Sequence, residues 1–283
     1  MLIRSIAALA TLSLSASSLA GEIAHLSGLG GAVALPGDTA AMYDNPAALA
    51  LEERYDLLGW GSLAPSGDRE GGLAVHDARS GAFALGLSLR LDHRTPAWTD
   101  ADLPGWVADG VLPSNTRRGR EGAFAVALPL LDRRLTLGIG GLAQQMERDS
   151  ADPEWMGEAS VGVAGRLGAG LTVGVSGQGL LPHSLSGRDP ATWTGGVRYL
   201  LDGVGAIAGS AGLDVAGAPR GALGLEARPG QVRARAGWRY QEGGHALQGG
   251  VGVENEAGAL DYGITVPLGG GEAIHGLSIR IRA

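Results

Sequence analysis

From about Tyr55 to its last residues, the chain alternates apolar residues with small or polar ones at a period of two. Between Phe83 and Leu91 every second residue is Phe or Leu, and Ala, Gly, Ser or Arg stands between them. Successive side chains of a β-strand point to opposite faces, whereas a helical pattern repeats about every 3.6 residues. The alternation therefore predicts strands that each carry one apolar face.

About fourteen such strands fit the chain, and most are close to the roughly 9–11 residues that a tilted membrane strand requires. The predicted bounds are 54–63, 71–77, 81–92, 119–129, 134–146, 155–165, 170–179, 191–200, 204–214, 220–228, 231–241, 244–254, 259–267 and 273–282. An even number of strands brings both ends of the chain to the same side of the membrane, as in bacterial single-chain barrels.

The lengths of the connectors predict which side is which. The odd-numbered gaps reach about 26 residues at His93–Arg118, whereas the even-numbered gaps stay near two to four residues. Glu242-Gly243 is a tight exception among the odd gaps. Bacterial barrels have short periplasmic turns and longer outside loops. We therefore expect Gly21 and Ala283 in the periplasm and the His93–Arg118 loop outside the cell.

The charged residues of these strands occupy the rows opposite the apolar ones. Backbone groups in lipid must all be paired within the protein, and only a closed barrel leaves no free edge. An Arg on the lipid face near the midplane costs about 2–4 kcal/mol, so these charges should face the lumen or the rim. The predicted set is Arg90, Arg198, Glu226, Arg233, Arg235, Arg239, Glu254, Asp261, Arg280 and Arg282. Arg233 and Arg235 are predicted to pair with Glu226 or Asp261, either as solvated lumen groups or as groups that select a ligand.

The first 20 residues have the features of a secretory signal. Arg4 supplies the positive start, Ile6–Leu14 the apolar core, and Ser18-Leu19-Ala20 a small-x-small cleavage site before Gly21. The alternative is a buried N-terminal helix. A signal that is removed leaves residues 21–283 as the folded protein.

The composition excludes several classes of protein. The chain has no Cys, so neither a disulfide framework nor a Cys-ligated zinc site is possible. Its formal net charge of −7 argues against a nucleic-acid-binding surface. After the signal, no stretch approaches the roughly 18–20 apolar residues that a membrane helix needs. If the chain crosses a membrane, it does so with strands.

A short, apolar and turn-rich segment precedes the first predicted strand. Pro36-Gly37-Asp38 is a turn signal, and either this turn's Asp or Thr39 can cap a short helix at Ala40–Tyr43. Pro46 suits the first position of a second helix, Pro46–Leu51, with Asn45 as its cap. Two short apolar helices before a barrel suit a segment that folds into the lumen or one that packs beneath the barrel mouth.

The order and spacing of residues in this segment are also informative. The residues that matter are Gly30, Gly31 and Ala32, then Asp38, Ala41 and Tyr43, then Asn45-Pro46-Ala47-Ala48-Leu49. In this order and spacing they resemble the N-terminal segment of the FadL/PorV-like outer-membrane barrels, with Leu29 where Met is usual. The resemblance implies a plug segment, residues 21–52, in a barrel formed by residues 53–283. The implied plug positions are Gly30, Gly31, Asp38, Ala41, Asn45, Pro46 and Ala47.

The resemblance implies two possible functions, neither of them enzymatic. One is a plugged outer-membrane channel for a small hydrophobic solute. The other is a PorV-like scaffold that binds secreted proteins. Both imply contact with outer-membrane lipid and with the barrel-assembly machinery. In the channel hypothesis, small inward residues leave room for plug and ligand: Ala82, Ala84, Gly86, Thr172, Gly174 and Ser176.

Motifs for catalysis or metal binding are sparse. The six His residues show no ligand spacing. His183-Ser184 would be the start of a surface lipid hydrolase, but it is more simply a polar loop. Several acids lie in or beside the long loop without a regular calcium-binding pattern, namely Asp92, Asp100, Asp102 and Asp109. We therefore predict no cofactor and no resident metal.

Overall fold

The computed structural model describes residues 39, 41–94, 117–148, 151–168, 170–181, 191–215, 217–241 and 244–283. Several predictions made above fall outside these residues. They concern the signal Met1–Ala20, the plug positions Gly30, Gly31 and Asp38, most of the His93–Arg118 connector, and His183-Ser184.

Two short helices come before the strands. Helix α1 is a single turn, Ala41–Asp44, and η1 is a 3-10 helix, Pro46–Leu51. The strands are β1 (Tyr55–Leu63), β2 (Arg69–Asp77), β3 (Ala84–Arg94), β4 (Arg117–Leu130), β5 (Leu135–Arg148), β6 (Ala151–Arg166), β7 (Leu171–Gln178), β8 (Thr192–Leu201), β9 (Gly205–Asp214), β10 (Pro219–Ala227), β11 (Val232–Gln241), β12 (Gly244–Asn255), β13 (Gly258–Pro267) and β14 (Ile274–Arg282). Within the described residues, no helix has both the length and the apolar character to cross a membrane.

The strands form one closed antiparallel barrel in which each strand pairs with its neighbours in sequence. The sheet closes where β1 meets β14, with Leu57 opposite Ile281 and Leu63 opposite His275. Closure pairs the edges that an open sheet would leave exposed. The predicted fold, a 14-strand transmembrane barrel with a short helical segment before it, is confirmed. The largest difference in strand bounds is at β6, which was predicted from 155 and begins at Ala151.

The two faces of the wall differ as the alternation predicts. On β3, the outward side chains of Leu85, Leu87 and Leu89 are 51%, 58% and 69% exposed. Ala84 and Ser88, which alternate with them, are buried. Apolar side chains that cover the outside of a closed barrel suit contact with lipid, because the lumen already holds the polar groups.

The two predicted helices are present with small shifts. The first was expected at Ala40–Tyr43 and is observed one residue later. The second has the expected bounds, and the Asn45 side chain caps it by accepting a hydrogen bond from the Ala47 N–H at 3.1 Å. Pro at the first position of this helix needs no backbone hydrogen bond, so the cap and Pro46 together define where the turn begins.

Two connectors differ in length from the prediction. The odd-numbered connectors are therefore less clearly longer than the even-numbered ones. The β5–β6 connector is only residues 149–150, because these strands continue pairing to Arg148 and Ala151 through an irregularity in register. The β2–β3 connector is longer than expected and covers residues 78–83. Its turn begins when the Asp77 side chain accepts hydrogen bonds from the backbone N–H groups of residues 79 and 80. Ala82 was predicted to face the lumen but lies exposed in this turn.

Candidate functional site

The inner segment, residues 41–51, lies inside the barrel against the inward faces of β4, β5 and β6. All six residues of η1 are buried. Ala47, Ala48 and Leu51 pack together with Ala164 of β6. The small side chains on both sides let the helix backbone lie close to the wall.

Two glycines on the inward face of the wall allow this close approach. A Cβ added at Gly138 would lie 2.5 Å from the Pro46 carbonyl carbon and 2.6 Å from Ala47 Cα. A Cβ added at Gly162 would collide with Asn45 Oδ1 and lie 3.0 Å from Asn45 Cγ. Real Cβ atoms do not approach backbone this closely, so any larger residue at Gly138 must move the inner segment or the strand.

The other side of the inner segment joins an apolar cluster with β1 to β4. Met42 and Leu49 contribute from the segment. The wall contributes Leu58, Trp60, Ala74, Ala78, Ala84, Ala123, Ala125 and Ala127. Leu49 has no exposed surface. Full burial of a Leu side chain contributes about 1.5–3 kcal/mol, so Leu49 and Leu51 are strong contributors to docking.

Polar contacts hold the same segment at three positions along its length. Asn45 Nδ2 donates to the Val163 carbonyl oxygen at 3.1 Å. The Gln178 amide donates to the Tyr43 carbonyl oxygen at 2.6 Å. His76 Nε2 lies 3.0 Å from the Leu49 carbonyl oxygen. The bonds from Gln178 and His76 satisfy backbone carbonyls of the buried segment, and the bond from Asn45 joins the segment to β6.

Arg133 in the β4–β5 turn holds the end of the inner segment. Its guanidinium donates to the carbonyl oxygens of Ala50 and Ala78, each at 2.9 Å, and to Glu53 Oε1 at 3.1 Å. The turn Leu131–Arg133 has three consecutive left-handed residues, with φ of 50°, 54° and 60°. Such a conformation is costly for residues other than glycine. Arg133 thus joins the end of the inner segment to Glu53 and to Ala78 at the same end of the barrel.

Tyr43 connects the first helix of the inner segment to β3. Its hydroxyl lies 2.6 Å from Ser88 Oγ on β3. Burial raises the pKa of Tyr43 to about 12, and the hydrogen bond to Ser88 offsets part of that rise. The hydroxyl therefore stays protonated and neutral at any pH at which the protein would be assayed.

A network of ion pairs lines the opposite inner wall. Arg235 is central to it, with its Nε 2.8 Å from Glu226 Oε2 and its Nη2 2.7 Å from Asp261 Oδ1. Arg233 extends the network from Asp261, at 3.4 Å, to Glu254, at 3.0 Å. These groups lie on β10 to β13, and Arg235, Glu226 and Asp261 have almost no exposed side-chain surface. Buried charges in such contact stabilise each other only as long as all of them are present.

The network continues to the barrel end that carries the chain's C-terminus. Glu254 also contacts Arg282 of β14. Arg282 Nε lies 3.8 Å from Asp56 Oδ1, and Arg54 Nε forms an ion pair with Asp56 Oδ2 at 2.7 Å. Arg54 precedes β1 directly, so the network reaches the chain that leads out of the inner segment.

A second charged group surrounds Arg90 on β3. Arg90 Nε lies 3.3 Å from Glu70 Oε1 and its Nη1 lies 3.4 Å from Glu121 Oε2. Trp60 Nε1 donates to Glu70 at 3.4 Å. This group lies next to Ser88, where Tyr43 makes its contact. It therefore borders the inner segment on the side away from Arg133.

The remaining predicted residues occupy simpler positions. Arg198 and Arg280 are buried on the inward faces of β8 and β14, and Arg239 is half-buried on the inward face of β11. Of the implied plug positions, Asn45, Pro46 and Ala47 lie against Gly138 of β5 and Gly162 of β6, the part of the inner wall that we call the seat. Ala41 is the first residue of α1.

Sequence reasoning did not find the seat itself. Alternation placed Gly138 on the face opposite Leu137 and Ile139, but no role was predicted for Gly138, Gly162, the anchor Arg133, or the partners Glu70 and Glu121 of Arg90. A signal was present, because the inward rows of three consecutive strands are all small or hydroxylic: Ala123, Ala125 and Ala127, then Thr136, Gly138 and Gly140, then Ser160, Gly162 and Ala164. A patch of wall without bulky side chains indicates that something packs against it.

Solved structures with this architecture include three hydrocarbon transporters. The toluene transporter TbuX of Ralstonia pickettii has a TM-score of 0.65 and 13% identity, with 93% of this chain and 98% of that chain covered. The monoaromatic hydrocarbon channel CymD has a TM-score of 0.64 and 12% identity, covering 88% and 94%. The toluene transporter TodX of Pseudomonas putida has a TM-score of 0.63 and 10% identity, covering 93% and 97%. The chain thus has the fold of these channels over almost its whole length.

No protein-family model matches the chain, and no protein of curated function matches it either.

Proposed function

We propose that the protein is a FadL-type channel of the outer membrane that admits a small hydrophobic solute, and that the inner segment is its plug. The observation that carries this proposal is the packing of the inner segment, residues 41–51, against the glycine- and alanine-rich seat inside a closed barrel. A fold shared with toluene and monoaromatic hydrocarbon channels supports it. The same fold and the apolar outer face support an outer-membrane location.

The proposed route passes along the surface that the plug covers. When the plug moves, it uncovers Leu58, Trp60 and the alanines of β2 to β4, which form an apolar strip on the inner wall. An apolar solute gains from contact with such a strip because its own surface leaves water. A resting plug excludes ions and larger polar molecules meanwhile. No bond is made or broken in this function.

Two measurements on the same protein test the proposal. The first is the rate at which N-phenyl-1-naphthylamine, a small hydrophobic dye, enters cells of a Gram-negative host that express the protein. The second is the ionic conductance of the purified protein in planar bilayers. We expect faster dye entry than in cells with an empty vector, together with low conductance.

Large steady conductance would contradict the plug, and unchanged dye entry would contradict the solute route. The scaffold hypothesis predicts a different pair of results: a secreted protein that co-purifies with the barrel, and dye entry at the level of the empty vector. The Arg133→Ala variant is a useful companion because it removes the hydrogen bonds to Ala50 and Ala78 and leaves the side chains of the apolar strip in place. It should raise conductance while dye entry persists.

A further inference from the structure

Three arginines stand apart from the others on the outside of the barrel. Among the strand arginines whose side chains the structure describes, only Arg69, Arg118 and Arg120 face outward. The register places Arg69 opposite His93, and His93 opposite Arg118. Neighbouring strands lie about 4.8 Å apart, so Arg69, His93 and Arg118 form a basic row across three strands that is only about 10 Å wide.

This row lies at the barrel end opposite the C-terminus. Arg69 begins β2 and Arg118 lies near the start of β4, at the end where β3 leads into the longest connector of the chain, residues 95–116. Long connectors mark the outer side of bacterial barrels. In the outer-membrane location proposed above, on which this inference depends, the row is level with the headgroups of the outer leaflet.

An apolar groove begins directly below the row. It has a volume of about 800 Å³ and lies on the outer wall from β2 to β6. Its sides are Leu73, Leu89, Leu91 and Trp155, which are 63–69% exposed, and its floor includes Gly71 and Gly122. Glycines in the floor make the groove deep enough to take a chain of methylene groups, because no side chain fills it.

Arg120 joins the row to the groove. It is paired in register with Leu91 and also lines the groove. Its Nη2 lies 3.2 Å from Glu147 Oε1, but its side chain is 63% exposed. An exposed pair of this kind adds little stability, so the guanidinium can turn to another anion.

We propose that this outer surface binds a phosphorylated, multiply acylated glycolipid of the outer leaflet, of the lipid A type. A phosphate would lie on Arg69, His93 and Arg118, since guanidinium groups bind phosphate through paired, charge-assisted hydrogen bonds. An acyl chain would lie in the groove, and Arg120 would contact the phosphate at the point where headgroup and chain meet. The site is on the opposite face of the wall from the inner segment, so it is separate from the solute route.

Binding of purified, detergent-solubilised protein to bisphosphorylated hexa-acyl lipid A, measured by native mass spectrometry, tests the site. The variant Arg69→Gln/Arg118→Gln/Arg120→Gln should weaken binding about 100-fold, because each basic residue near a lipid headgroup contributes roughly one kcal/mol. Gly122→Leu should weaken it separately by filling the groove. A Cβ at Gly122 is 3.9 Å from its nearest neighbour, Leu89, so this variant should fold normally.

The controls match each change at another place on the barrel. Arg79→Gln/Arg134→Gln removes two exposed arginines from the opposite turns, and Gly195→Leu adds a side chain to the outer face of β8, where the nearest atom is 4.0 Å from the new Cβ. Both should bind lipid A as the unaltered protein does. Dephosphorylated lipid A should bind the unaltered protein as weakly as lipid A binds the triple variant.

Unchanged affinity in the triple variant would overturn the site, and so would equal affinity for the dephosphorylated lipid. Binding of phosphatidylglycerol as tight as that of lipid A would overturn the glycolipid assignment. The channel function is judged by conductance in bilayers that contain no lipid A, where the triple variant should match the unaltered protein. The two proposals can therefore fail independently.

Discussion

Replacing Gly138 with valine should open the barrel. The new side chain would need the space that Pro46 and Ala47 occupy, and both obstacles are backbone atoms that cannot rotate away. Overpacking in a close-packed interior costs about 1–3 kcal/mol, and a bias of that size changes the population of the undocked segment by about 5- to 150-fold. We expect the mean ionic conductance of the purified variant in planar bilayers to rise by a factor in this range.

The matched control is Gly157→Val on the neighbouring strand β6. Gly157 lies on the outward face, and a Cβ there would be 3.8 Å from its nearest neighbour, the Leu142 carbonyl oxygen. This variant adds the same side chain to the adjacent strand but on the outer face, where it cannot reach the inner segment. Its conductance should equal that of the unaltered protein. Equal conductance in both variants would mean that the segment does not close the lumen.

Removing Arg235 should cause a large loss of stability. Its guanidinium joins Glu226 and Asp261, and none of the three is exposed to solvent. Removing one member of a buried ion pair typically destabilises a protein by about 3–5 kcal/mol, because the remaining charge stays buried without compensation. The midpoint of urea unfolding for Arg235→Ala, measured on barrels folded in lipid vesicles, should fall accordingly.

Two further variants show whether charge or geometry is responsible. Arg235→Lys keeps the charge but loses the planar fork that reaches two carboxylates, so it should lie between the unaltered protein and the Ala variant. Arg79→Ala removes an exposed arginine that donates to the Ala283 carbonyl oxygen at 2.8 Å, and its midpoint should hardly move. If Arg235→Ala unfolds at the same urea concentration as Arg79→Ala, the buried network does not support the barrel.

The alternation of the sequence was sufficient for most of the fold. A closed wall with lipid outside allows each strand only one orientation, so Leu85, Leu87 and Leu89 fix the outward face of β3 and thereby the inward position of Arg90. The ends of strands were harder. At Asp77 a side chain captures the following N–H groups and starts a turn, and this local bond outweighs the apolar pattern of Ala82 and Phe83.

The position of the inner segment could not be predicted from the residue pattern of any single strand. The packing of η1 depends on Gly138 of β5 and Gly162 of β6 lying side by side, and on their facing Pro46 and Asn45 from a distant part of the chain. Alternation places each glycine on the inward face but does not say that a helix lies against it. The anchor Arg133 was missed for a related reason. It lies in a turn whose left-handed backbone directs its side chain at Ala50, which no periodic pattern encodes.

The most direct test of the account is a disulfide between the inner segment and the wall. The chain has no Cys, so Met42→Cys/Gly86→Cys would introduce one pair without competitors. A Cβ at Gly86 lies 3.7 Å from Met42 Cβ, within the range of about 3.5–4.5 Å that disulfides need. The measurement is the rate of N-phenyl-1-naphthylamine entry into cells expressing this variant, before and after reduction. Each single-Cys variant serves as a control that the reductant alone should not affect.

The account predicts that the disulfide forms, that dye entry falls to the level of cells without the barrel, and that reduction restores it. Failure of the pair to cross-link would contradict the position of the inner segment. Full cross-linking with undiminished dye entry would show that the solute does not pass where the segment lies.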